Sequence, residues 1–186
     1  MFKKSRRFAL PLAMVAAIAL STSTVSANPM VGGAEMYESK NIVENAVNSK
    51  DHTTLVAAVK AAGLVDTLMS PGPFTVFAPV NSGFAKLPDG TVATLLKPEN
   101  KDKLVKILTA HVVAGKMSAK MLWEKAAANG GRYNMKAVSG DALTAVIKGK
   151  NLYIFDENGG ASKITVADVN QSNGVIHVIN NVLLPR

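Results

Sequence analysis

Along the first two thirds of the chain the hydrophobic residues recur at helical spacing, with one interruption; beyond that they alternate. In Asn41 to Asn48, Ile42, Val43, Ala46 and Val47 fall on one helical face. Leu55, Val59 and Ala62 at i, i+4, i+7 predict a second helix, with Asp51 or Thr53 as its cap and Gly63 as its stop. "LVDTLM" (Leu64 to Met69) adds one apolar turn before the breaker "SPGP". Then comes the interruption. "FTVFAPV" (Phe74 to Val80) is β-branched and aromatic but alternates poorly, as a strand covered on both faces does. Pro79 cannot donate to a ladder and marks its end, and Asn81 or Ser82 can cap a short helix holding Phe84 and Leu87.

"KPENKDKLVKILTAHVV" (Lys97 to Val113) predicts the clearest helix, with Leu104, Ile107, Leu108, His111 and Val112 on its inward stripe. "SAKMLWEKAAANGG" predicts a shorter one, stopped at Asn129-Gly130-Gly131. After it, "YNMKAVS", "DALTAVIKG", "NLYIFD", "SKITVADV" and "GVIHVINNVLL" read as strands joined by tight Gly and Asn turns. Helices first and strands afterwards predict an α+β fold.

The amino-terminal residues change how charge is read. Lys3, Lys4, Arg6 and Arg7 precede an apolar run, Phe8 to Leu20, and "VSA" (Val25 to Ala27) supplies small residues for cleavage. Residues 1–27 are therefore expected to be a cleaved signal peptide, residues 28–39 a flexible lead, and residues 40–186 one domain. No membrane span is expected after cleavage. Of 21 basic and 13 acidic residues, four basic ones lie in that leader, leaving 17 against 13 and a net of +4 in place of +8. So mild an excess, spread along the chain, argues against a nucleic-acid partner. The chain has no cysteine, so thiol nucleophiles, thiolate metal sites and disulfides are all absent, and stability rests on packing.

Few residues carry candidate chemistry. His111 and His177 would share a site for a metal or for acid–base work, or would each be an imidazole hydrogen-bonded inside the core. The second reading is the stronger, since no H-x-x-H spacing accompanies them. Asn81 is expected near His111 as its partner, and His52, at a helix start, is expected to be exposed. "NQSNG" (Asn170 to Gly174) lacks the first glycine of a nucleophile elbow, and "DENGG" (Asp156 to Gly160) has glycine where a calcium loop needs a carboxylate or amide. Met117, Met121 and Trp123 suggest the lid of the core or a partner contact. Lys116, Lys120 and Lys125 form a basic patch suited to acidic polysaccharide or phospholipid heads.

Four stretches, in order, resemble the fasciclin (FAS1) family: "TTLVAAVKAAGLVDTL", "GPFTVFAPVNSGF", "LTAHVVAGKM" and "SNGVIHVINNVLLP". The resemblance covers the chain from about Ser39 onward. It implies a wedge-shaped β-sandwich flanked by helices, with the second and fourth stretches running through its centre. It further implies a non-catalytic adhesion module, without cofactor or metal, that binds a cell-surface or matrix protein or glycan. The implied localisation is periplasmic, cell-surface or extracellular. Asp168 and Val169 align with a binding Asp-Ile pair of animal members, and His111 with the central histidine. Asn81, His111, His177 and Asn180 are then the polar residues of the core. Two positions depart from the pattern: Ala110 stands where tyrosine is usual, and Asn180 where aspartate is. The alternative is a secreted or periplasmic small-ligand carrier or hydrolase with a pocket near His111.

Overall fold

The computed structural model describes residues 28–186, so the expected signal peptide lies outside the described residues. Met30–Val31 (β1) and Ala34–Glu35 (β2) pair as a small hairpin, followed by helix α1, Ile42–Ala46. Helices α2 (Thr53–Ala62) and α3 (Val65–Met69) lead into strand β3, Phe74–Pro79. Three helices follow, α4 (Asn81–Phe84), α5 (Thr91–Leu95) and α6 (Lys101–Ala110). Strand β4 (Val112–Ala114) and helix α7 (Ala119–Ala128) precede the antiparallel run β5 (Arg132–Lys136), β6 (Ala142–Lys148), β7 (Asn151–Phe155) and β8 (Ala161–Gln171). The last strand is β9, Gly174–Ile179.

The two apolar runs about a hundred residues apart are partners. β3 and β9 pair in parallel, Phe74 opposite Gly174 through Pro79 opposite Ile179, at the heart of a seven-stranded sheet ordered β4-β3-β9-β8-β7-β6-β5. Every residue of β9 is buried, which explains why the run does not alternate. On one side Val76, Ala78, Ile176 and Val178 face α1, α2 and α6; on the other Phe77 and Ile179 meet Leu122, Leu143 and Ile154. Helices therefore cover one face of the seam and the strands and α7 the other. At the start of the seam a side chain on Gly174 would put its Cβ 2.1 Å from the Phe74 carbonyl oxygen, so only glycine fits there.

β8 carries the sheet from one half to the other. Its first residues pair with β7 and its later ones with β9, and register shifts between Ile164 and Val169 bend it in between. The far edges of the sheet then meet at a bridge between Val113 and Ala137. The fold is thus α+β, a seven-stranded sheet nearly closed on itself and flanked by helices.

Four local expectations are corrected. Residues 28–39 are pinned and not loose: Val31 and Met36 are buried, and Asn45 holds the Tyr37 backbone at both its N–H and its carbonyl. The helix expected through Val112 stops at Ala110, because Val112 and Val113 gain more by pairing with β3. Neither Asp51 nor Thr53 caps α2; Asn81 does so from outside the helix. The last strand ends at Ile179, beyond which Leu183 turns inward as core.

Candidate functional site

His111 closes the carboxyl end of α6 and is 2% exposed. Its Nδ1 donates to the Ile107 carbonyl at 2.8 Å, and its Nε2 accepts from the Leu183 N–H at 2.9 Å. Its own carbonyl accepts from Phe77 of β3. One residue thus ties a helix end, a central strand and the carboxy-terminal segment together. Burial pushes its pKa down to about 4, against the opposing pull of the Ile107 carbonyl and the Asp156 charge. The ring is neutral, and both nitrogens are spent.

His177, on β9, uses the opposite tautomer. Nε2 donates to the Met117 carbonyl at 2.8 Å, Nδ1 accepts from the Asp168 N–H at 3.2 Å, and the ring stacks on Phe77. Burial lowers its pKa as well, opposed by the Met117 carbonyl and the charge of Asp168. Thr75 of β3 assists by donating to the Gly115 carbonyl and accepting from the Met117 N–H. Asp168, in the β8 bulge at φ +58°, accepts from the Ala119 N–H at 2.8 Å, the first turn of α7. Three strands therefore clamp the segment from Gly115 to Ala119.

The remaining polar residues act in the same way. Asn180 accepts from the Lys163 N–H where β8 and β9 stop pairing. Asn81 does not reach His111. Its Oδ1 accepts from the Thr54 N–H and the Thr53 hydroxyl, and its Nδ2 donates to the Lys50 carbonyl, so it caps α2 across a chain separation of 27 residues. His52 is buried, contrary to expectation, because a 3₁₀ turn over Lys50–His52 tucks it under β3. Its Nδ1 pairs with the Ser49 hydroxyl, while its Nε2 has no hydrogen-bond partner among the described residues. Burial lowers its pKa, opposed by the Asp51 charge. Val169 is 1% exposed and faces the helices, so beside the exposed Asp168 it contributes packing. Asn173, which reads in sequence as a turn residue, holds three backbone groups: it accepts from Ile42 and donates to Leu68 and Ser70.

Between the α1–α3 helices, α6 and the seam lies an apolar crevice of about 90 Å³. His52 and His111 form part of its wall with Leu55, Val59, Leu68 and Ile176; among the described residues neither Asn81 nor any carboxylate lines it. Among the described residues no three His, Asp or Glu side chains gather in a way that would hold a metal ion. Of the three lysines expected to form a patch, Lys120 pairs with Glu124 and Lys125 lies over the Tyr133 ring. Trp123 packs on the core while Met121 is exposed. Cations do gather elsewhere, on the outer face of β5–β8, a cluster that sequence reading missed because it draws one or two residues from each of several strands.

Comparison with known proteins agrees with this architecture. A model of the Fasciclin domain matches residues 50–185. The chain is 48% identical over 180 residues to protein sll1483 of Synechocystis, covering 96% of this chain and 91% of that one. It is 35% identical over 145 residues to the immunogenic protein MPB70 of Mycobacterium bovis, covering 75% and 66%. Among solved structures, a FAS1 domain pair from the insect cell adhesion molecule Fasciclin I superposes with a TM-score of 0.70 at 18% identity, over 78% of this chain and 51% of that one. That likeness concerns the fold.

Proposed function

The chain belongs to the fasciclin domain family, and from that premise we propose that it is a non-catalytic binding module outside the cytoplasm. Its partner is a protein or glycan of the cell surface or surrounding matrix. One observation carries the reading: His111 and His177, the residues that would run acid–base chemistry, spend both ring nitrogens on backbone groups. What remains for function is the surface. Among the described residues no helix is long and apolar enough to cross a membrane, which fits an exported module. The name of the structural neighbour, a cell adhesion molecule, is in keeping with the same reading.

The test immobilises the purified protein and measures attachment of intact cells and envelope fragments, with ester and glycoside hydrolysis assayed in parallel. Saturable attachment without turnover is expected. His111→Gln should attach as well as the parent at temperatures where it stays folded. Turnover above buffer that disappears in His111→Gln would overturn the proposal in favour of a hydrolase.

The crevice favours a second reading, a carrier of small apolar molecules, since its wall offers hydrocarbon and no carboxylate. Displacement of a bound fluorescent naphthylamine by short alkanes or alcohols, lost when Val59→Phe fills the space, would support it. No bound dye would end it.

A further inference from the structure

Strand register places a set of cations on one surface. Arg132, Val146, Tyr153 and Lys163 are successive Cα partners across β5, β6, β7 and β8. Alternation along each strand puts Lys136, Lys148, Asn134, Thr144 and Phe155 on the same face, the one turned away from the core. The inward face is occupied by Met135, Leu143, Ala145, Leu152 and Ile154, all buried. Arg132, Lys136 and Lys148 are exposed and Lys163 half-buried, and none of the four pairs with a carboxylate within 4 Å among the described residues. Strands β5, β6 and β7 contain no acidic residue at all. The two carboxylates of the β7–β8 turn are occupied: Asp156 accepts from Asn158, Gly160 and Leu184, and Glu157 from Ala142.

Resting on the reading of the protein as a binding module, we propose that this outer face binds an acidic, carboxylate-bearing polysaccharide. Charge complementarity sets the sign, because a face of unpaired cations draws a polyanion and repels a polycation. Neutral polar groups set the class. Beside Arg132, a shallow groove is lined by Asn129, Asn134, Thr144 and Tyr133, whose amides and hydroxyls match sugar hydroxyls next to a carboxylate. The Lys148 ammonium sits over the rings of Phe155 (4.7 Å) and Tyr153 (5.5 Å), which fixes that cation in place. The same ammonium competes with nucleic-acid bases for those ring faces. A membrane surface is disfavoured too: Met30, Tyr37, Val47, Met69, Met121, Val138 and Leu184 are the large apolar side chains most exposed among the described residues, and none belongs to this face.

The experiment measures binding of the purified protein to sodium alginate by calorimetry or interferometry. Neutral dextran, single-stranded DNA and phosphatidylglycerol vesicles are run beside it, and envelope attachment is measured on the same samples. Binding to alginate is expected to weaken steadily as salt rises. The Arg132→Ser, Lys148→Gln, Lys163→Ser variant should bind roughly 10–100-fold more weakly, given that each exposed contact contributes modestly. Lys116→Ser with Lys120→Ser should leave binding unchanged. Thermal melts check that both variants are folded. An alginate affinity unchanged by the triple substitution, no alginate binding by the parent, or tighter binding to DNA or vesicles would each overturn the proposal. Envelope attachment that persists in those cases keeps the binding-module reading; its loss as well ends both.

Discussion

The β3–β9 seam and the outer face of β5–β8 treat polar side chains in opposite ways. At the seam every imidazole, amide and hydroxyl of Thr75, His111, Asn173 and His177 is committed to a backbone group of a loop or helix end. On the outer face Arg132, Lys136 and Lys163 stand without a carboxylate partner among the described residues. The first region holds the molecule together and the second is free to meet something else. In this chain, then, histidine within an apolar run signals a staple, and the face proposed to meet a ligand is built of residues that no local motif brings together.

If the contrast is real, damage at the seam is large. Phe77 is fully buried, is stacked on His177, and bonds to His111 through its backbone. Phe77→Ala is expected to lose about 3–5 kcal/mol in urea unfolding, from the cavity and the lost stacking. A loss comparable to that of a surface substitution would remove the seam as the stabilising centre.

Acid probes the staples next. His111 titrates near 6.5 when unfolded and about 4 when folded, so below 6.5 the unfolded chain binds the extra proton. Stability is therefore full above 6.5 and is lost as pH falls toward 4, by up to ~1.4 kcal/mol per pH unit for this group. His52 and His177, whose pKa values are also lowered, steepen the decline. His111→Gln should be less stable at neutral pH yet show a shallower fall in acid, as read from urea midpoints across the range. An unchanged slope would mean that the ring does not titrate with unfolding.

The smallest effects separate the regions most cleanly. Asn81→Ala removes the cap of α2 and should cost about 1 kcal/mol, with faster amide exchange confined to the first turn of that helix. Lys136→Ser, on the outer face, should stay within about 0.5 kcal/mol of the parent. Equal losses for the two would erase the distinction.

Much of the fold was legible because it is written in local periods. The stripe of α2, the breaker before β3 and the turns between β5 and β8 are all short-range patterns. That the two distant apolar runs share the centre of the fold needed the family resemblance, and their parallel pairing was not read at all, since no local signal says which run partners which. The boundary at His111 was misplaced because Val112 continues the helical stripe while its tertiary partner, Val76, calls for a strand. Asn81 was expected to cap the short helix that follows it, but α4 has no side-chain cap and Asn81 instead caps α2, which precedes it in the chain, so its neighbours could not reveal the target. The outer-face cations were invisible for the same reason. Arg132 and Lys163 become neighbours on one surface only through two intervening strands.

The meeting of the sheet's two ends at Val113 and Ala137 also bears on self-association. Strand β4 turns part of its outer side to that bridge and to the Val138 N–H, and β5, the other edge strand, carries Arg132 and Lys136 on its outer face. An open β-edge is the usual template on which copies of a protein polymerise, and here it is short and guarded by like charges. Crowded copies of this protein would thus be held at arm's length from fibril formation, because the edge gives little room for backbone augmentation.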